Sequence, residues 1–201
     1  MEIPRICLVF TRAQEYWPNA ENTPHVAPGL VVGPYPVTKG TVAYQAMRVS
    51  FAYKVNPGYN VLGSRVGYHV GDTESLTFLF DAGGCVQWVH LSAHASAEGN
   101  WCRTYNMLRD KSGALLAFVS PTSHAMYPRP GTHYRLLGLA NDETRDEVRV
   151  PITTLLPVAP NSLPDLPNMN QDQEIVPKDK TMTKVERFMG VNAVKKYLSK
   201  W

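Results

Sequence analysis

The stretch "SLTFLFDAGGCVQWVHLSAHA", residues 75–95, constrains the fold more than any other part of the chain. Two runs rich in aromatic and β-branched residues flank Asp81, Gly83 and Gly84, which are turn formers. That order of signals specifies a β-hairpin. Similar runs recur. "TVAYQAMRVSFAY" (41–53) sets Val49, Phe51 and Tyr53 on one face, because alternate residues of a strand share a face. "ALLAFVS" (114–120) is apolar on both faces, as a central strand is. "HYRLLGLA" (133–140) and "EVRVPITTLL" (147–156) complete the set, with glycine and proline clustered between the runs. Residues 1–156 are therefore expected to form a mainly β domain, a β-sandwich or jelly-roll-like fold.

Residues 157–182 differ in kind. Prolines at 157, 160, 164, 167 and 177 exclude both helix and sheet interior and leave an extended, semi-stiff arm. The last stretch, 183–201, reads as an amphipathic helix. Thr183 and Glu186 fit a capping box, and Val185, Phe188, Met189, Val191, Val194, Leu198 and Trp201 recur at helical spacing. Such a stripe must dock on something, so Val185, Phe188, Met189, Val194, Leu198 and Trp201 are the candidate partner-binding residues.

At 44% hydrophobic and 18% charged residues, the chain can bury a core and is not disordered as a whole. The net charge of +3 is concentrated in the tail, where Lys184, Arg187, Lys195, Lys196 and Lys200 face only Glu186. A near-neutral body argues against a general nucleic-acid surface. Cys7, Cys85 and Cys102 form no pairing motif, the N-terminal stretch lacks the pattern of a signal peptide, and no apolar run is long enough to span a bilayer. These features predict free thiols and an intracellular setting, the cytoplasm or a virion.

The sharpest chemical signal is His69, Asp72 and Glu74 in "YHVGDTESLTFLF". If a strand begins near Asp72, then Asp72 and Glu74 extend the face formed by Leu76, Phe78 and Phe80, and both carboxylates lie at the mouth of the core. A carboxylate there needs a cation, a set of N–H donors or water. One imidazole and two carboxylates suit a divalent ion such as calcium or magnesium. Alternatively Asp72 or Glu74 pairs with Arg65 while His69 donates to a backbone carbonyl.

Three segments carry a resemblance. "VLGSRVGYHVGDTESLTFLF", "VHLSAHASAEGNW" and "SPTSHAMYPRPG" resemble, in order, motifs of the vacuolar protein sorting-associated protein 62 family, over roughly residues 40–135. The resemblance implies a β-sandwich with no established enzymatic activity. The H-x-x-D-x-E spacing is also distantly similar to that of necrosis-inducing, ethylene-inducing-peptide-like cytolysins. That likeness implies metal-site or active-surface roles for His69, Asp72 and Glu74, with His124 as an additional member. Thr73 and Ser75 replace a tryptophan and a histidine of the family motif.

Among the remaining candidates, His90 and His94 are expected on a partly exposed strand face, and Cys102 as a buried thiol. No nucleophile elbow, phosphate loop or dinucleotide fingerprint is present. The expected function is therefore that of a non-enzymatic structural or interaction protein. Its arm and terminal helix would tether a β-sandwich to other protein chains of a larger assembly, such as a virion's minor capsid layer. The alternative is a divalent-metal-dependent surface for membranes or lipid headgroups, with a metal-dependent hydrolase as a more distant one.

Overall fold

The computed structural model describes residues 1–11, 29–94, 99–135, 138, 140–158 and 169. The sequence-predicted helix 183–201, with Val185, Phe188, Met189, Val194, Leu198 and Trp201, lies outside the described residues, as does the arm apart from its first two residues and Met169.

The chain is mainly β. A six-stranded sheet has the order β14-β2-β3-β6-β7-β8, formed by Leu155–Pro157, Gly29–Lys39, Val42–Asn56, His69–Phe80, Val86–Ser92 and Gly99–Arg103. A four-stranded sheet has the order β10-β9-β1-β13, formed by Met126–Tyr127, Leu115–Val119, Ile6–Phe10 and Val148–Pro151. The two face each other as a sandwich. Their shared core holds Leu8 of β1, Phe51 of β3, Phe78 of β6, Leu91 of β7 and Leu115 of β9, all essentially excluded from solvent. Each such side chain contributes roughly 1.5–3 kcal/mol by leaving water. Two short hairpins sit beside the sandwich: β4 (Tyr59–Val61) with β5 (Ser64–Val66), and β11 (Gly131–His133) with β12 (Asp142–Thr144).

The expected hairpin at Asp81–Gly84 is present as the β6–β7 turn, closed by Gly84 N–H donating to Asp81 O and by Asp81 N–H donating to Cys85 O. β3 carries Val49, Phe51 and Tyr53 on the buried face, in antiparallel register with Leu76, Glu74 and Asp72. β6 is longer than expected and begins at His69. Among the described residues of "HYRLLGLA", only His133 lies in a strand, and Gly138 and Ala140 both donate to the Arg135 carbonyl. The strands β1, β2 and β8 were not anticipated from the sequence.

β6 is buried from Glu74 to Phe80 without alternation. Its inner face meets the second sheet. On its outer face, Leu79 packs with Tyr35, Val37, Ala46 and Trp101, flanked by Tyr44, Trp88 and Met169.

Candidate functional site

One end of the sandwich collects the chemistry. There the start of β6, the end of β3, the β4–β5 hairpin and the loop after β9 meet. Asp72 lies on β6 with its two oxygens already engaged. Oδ2 accepts from Asn56 Nδ2 at 2.9 Å and from His124 Nδ1 at 2.9 Å, and Oδ1 accepts from the Thr73 amide at 2.9 Å. His69 Nε2 stands 3.6 Å from Oδ1, with its side chain half exposed and its Nδ1 3.0 Å from Gly67 O. Burial opposes the charge on Asp72, but the hydrogen bond and positive character of His124, with Asn56, outweigh it and hold the carboxyl below the usual range.

Glu74 is two residues deeper and 4% exposed. Burial pushes its carboxyl up to about 8, the neighbouring Asp72 charge adds to this, and the hydrogen bond from Ser92 only partly compensates. Glu74 is therefore largely protonated at neutral pH. Ser92 Oγ also accepts from the Ser75 amide at 2.6 Å, so the Ser75 backbone belongs to the same small network.

Sequence reasoning missed the residue around which most of this end is organised. Asp142, on β12, is fully buried. Its Oδ1 accepts from Tyr59 OH at 2.5 Å, Ser120 Oγ at 2.6 Å, Ser123 Oγ at 2.6 Å and, more weakly, Thr122 Oγ1 at 3.3 Å. Its Oδ2 accepts from Tyr127 OH at 2.6 Å and His94 Nε2 at 2.8 Å. Burial disfavours the charge, yet the donors, led by His94, hold the carboxyl far below its ordinary range. The tyrosine hydroxyls of Tyr59 and Tyr127 are pushed up by burial and by the Asp142 charge, so both stay protonated donors. His133 stacks on Tyr127 with ring centres 3.5 Å apart, and burial lowers it to about 4.

The two aspartates are joined by adjacent residues of one loop. Ser123 donates to Asp142, and His124 donates to Asp72 while stacking on Tyr53 at 4.0 Å. Asn56 Nδ2 bridges Asp72 and the Ser123 carbonyl. His94 and His124 each have φ +59°, a left-handed backbone that costs a non-glycine residue energy and is kept where surrounding contacts fix it. Both histidines thus turn back onto a carboxylate, fully buried at Asp142 and partly buried at Asp72. Gly58 completes the junction: at φ +68°, a Cβ there would lie 2.4 Å from Val66 O, while its amide donates to Asn56 Oδ1 and Thr122 O.

Of the four candidate metal ligands, His69, Asp72 and His124 gather, and Glu74 lies deeper, bound to Ser92. They do not fit an ion shell as arranged. The Asp72 oxygens carry N–H donors, Glu74 is neutral, and among the described residues no group of three or more His, Cys, Asp or Glu side chains is placed to hold a metal. The alternative pairing with Arg65 is also replaced: Arg65 Nε donates to Pro57 O at 2.9 Å and its guanidinium lies 4.4 Å from the Tyr68 ring centre. His90 is 3% exposed rather than on an open face, and His94 is half-buried against Asp142. Cys102 is buried as expected.

A cleft of about 420 Å³ opens above the Asp142 network. Tyr59 and Thr122 form part of its lining, along with Asn60, Arg65, Asn141 and Glu143. Outside its lining, between the β4–β5 turn and the start of β6, three apolar side chains stand in solvent: Leu62, Tyr68 and Val70, exposed by 53%, 48% and 75%. Neither His94 nor His124 is hydrogen-bonded to a hydroxyl or thiol among the described residues.

Residues 52–158, more than half of the chain, match the family described as Vacuolar protein sorting-associated protein 62. No curated protein matches the chain, and no solved structure does.

Proposed function

The chain belongs to the vacuolar protein sorting-associated protein 62 family, and from that premise we propose that it is a non-enzymatic interaction module, presenting the β4–β5 end of its sandwich to another protein chain of a larger assembly. The observation that carries this reading is the exposure of Leu62, Tyr68 and Val70 between the β4–β5 turn and the start of β6, while Asp72 and Asp142 are saturated by internal donors. Large apolar side chains exposed close together along the chain mark an interaction surface. The histidine–aspartate pairs support a scaffolding role, since each carboxylate fixes loops and neither histidine is hydrogen-bonded to a nucleophile.

Cross-linking mass spectrometry on the full chain tests this, comparing it with the Leu62→Asp/Val70→Asp variant and with a chain ending at Leu156. Partners lost with the double variant support the interface at this end and name the assembly, a virion layer being the one expected from the sequence. Partners kept by the double variant but lost on truncation move the interface to the arm. Partners unaffected by either change overturn the reading.

A second reading, a surface for lipid headgroups, draws on Tyr68 and Val70 flanking His69, since exposed aromatic and aliphatic side chains also insert into membrane interfaces. It is tested by sedimentation with phosphatidylserine vesicles in calcium and in chelator. Binding that requires calcium and is abolished by Asp72→Asn favours it over the protein interface.

A further inference from the structure

The cleft above the Asp142 network is lined by hydrogen-bond donors that the fold leaves over. Its volume of about 420 Å³ lies within the range of small-ligand sites. Its walls are fixed from within. The Gly58 amide donates to Thr122 O and to Asn56 Oδ1, and the Tyr59 hydroxyl is tied down to Asp142.

The leftover donors follow from the chemistry of each lining side chain. Arg65 spends its Nε on Pro57 O, and its contact with the Tyr68 ring holds the guanidinium in place. Among the described residues no carboxylate pairs with that guanidinium. Asn60 Oδ1 accepts from the Gly63 amide at 3.1 Å, and Asn141 Oδ1 accepts from the Arg135 amide at 3.3 Å. The oxygen of each side-chain amide is thus engaged, and neither NH2 group has an acceptor among the described residues. Tyr59 and Thr122 commit their hydroxyl protons to Asp142, which leaves them as acceptors.

Charge decides what those donors suit. Arg65 is the one cation in the lining and Glu143 the one anion. Glu143 already lies 3.8 Å from Arg145 Nη2. Asp142, beneath the cleft, is taken up by its own donors. The unmet charge is positive, and a guanidinium held in one plane is suited to a planar or tetrahedral oxyanion.

We propose that the cleft binds a small hydroxylated ligand bearing one carboxylate or phosphate group. Arg65 receives the oxyanion, the amide nitrogens of Asn60 and Asn141 add donors, and Tyr59 and Thr122 accept from ligand hydroxyls. The site does not depend on the protein interface, because none of Leu62, Tyr68 and Val70 lines the cleft.

Titration of the isotope-labelled full chain, followed by its amide resonances in buffer free of phosphate and carboxylates, tests this with glucuronate, glucose 6-phosphate and glucose. The expected result is a saturable shift of amides in 58–65, 122 and 140–143 with an anionic probe, and binding of glucose at least about tenfold weaker. Binding of glucuronate alone assigns a carboxylate, of glucose 6-phosphate alone a phosphate, and of both a site that reads charge. Arg65→Gln should weaken binding by at least about tenfold, and Arg65→Lys by less. Because Arg65 also holds Pro57, Asn60→Asp is a second test. It keeps the acceptor for Gly63, replaces the NH2 group with a like charge, and should abolish binding while resonances outside the cleft stay in place. Glu143→Gln removes the one like charge in the lining and should tighten binding. The proposal is overturned by the absence of a saturable shift with either anion, by glucose binding as tightly as the anions, or by binding unchanged in both Arg65→Gln and Asn60→Asp. Weaker binding in Glu143→Gln overturns the charge assignment.

Discussion

Asp142 and Asp72 both accept from a histidine held in a left-handed backbone, yet they do opposite things with solvent. Asp142 is fully buried and takes five hydroxyls and an imidazole from β4, β10 and the loops after β7 and β9. Asp72 sits at the rim, with a half-exposed His69 beside it and fewer donors. The first is a keystone that ties together separate parts of the chain. The second fastens one loop to one strand. A buried charge is tolerable only when its donors are complete, so the keystone is the more fragile of the two.

The largest effect should therefore follow Asp142→Ala. Removing the carboxylate leaves buried hydroxyls and an imidazole without their acceptor, and a loss of about 4 kcal/mol is expected in urea denaturation. Equal or smaller destabilisation than in Asp72→Ala would remove the distinction between the two sites.

Glu74 sharpens the same contrast through pH. It is buried but lacks the donors that keep Asp142 ionised, and its carboxyl rises from 4.5 to about 8. Between those values the unfolded chain has released a proton that the folded chain still holds, so stability falls as pH rises across that window. Glu74→Gln keeps the shape and the Ser92 contact but removes the titration. The variant should gain on the wild type from pH 5 to pH 8, by several kcal/mol at the upper end. His90, lowered by burial to about 3, runs the other way. The unfolded chain takes up a proton below 6.5 that the folded chain refuses, so its contribution is lost as pH falls toward 3. Denaturation curves at pH 4, 5, 6.5 and 8 separate the two. A flat Glu74→Gln difference would mean that the carboxyl is ionised throughout.

What the sequence disclosed depends on the range over which each feature is encoded. The parity of Leu76, Phe78 and Phe80 and the Asp81–Gly84 turn are local, and they led to β6, its inner face and the sandwich. His69, Asp72 and Glu74 were visible because one strand carries all three. Asp142 was not visible: in "LANDETRD" it is one acid among several, and its donors are spread from Tyr59 to Tyr127. Ser120, Ser123 and Tyr127 lie in the segment that resembles the family motif, but nothing in their spacing says that they converge on a carboxylate downstream. The chemistry assigned to the visible cluster changed for a similar reason. Spacing placed ligand-type side chains together, while Asn56, which claims an Asp72 oxygen, comes from another strand.

At the rim the expected effects shrink. Asp72→Asn keeps the volume and one acceptor, removes the charge that holds His124, and should lower stability by roughly 1–2 kcal/mol. The depressed Asp72 carboxyl contributes stability above its ordinary value of 3.8 that fades as pH falls below it, so the gap between wild type and variant should narrow in acid. His69→Ala comes last. With its side chain 51% exposed and its nitrogen 3.6 Å from Asp72, it should change stability by no more than about 0.5 kcal/mol. The same variant decides between hydrogen-bonded scaffold and cation site. If N–H donors alone satisfy Asp72, the melting temperature of the wild type is the same in calcium and in chelator, and His69→Ala leaves it so. An ion bound to the folded state raises the melting temperature in proportion to the logarithm of its concentration above the dissociation constant. A calcium-dependent rise, lost in both His69→Ala and Asp72→Asn, would make the rim an ion site and require Asn56 and His124 to give up their hold on Asp72.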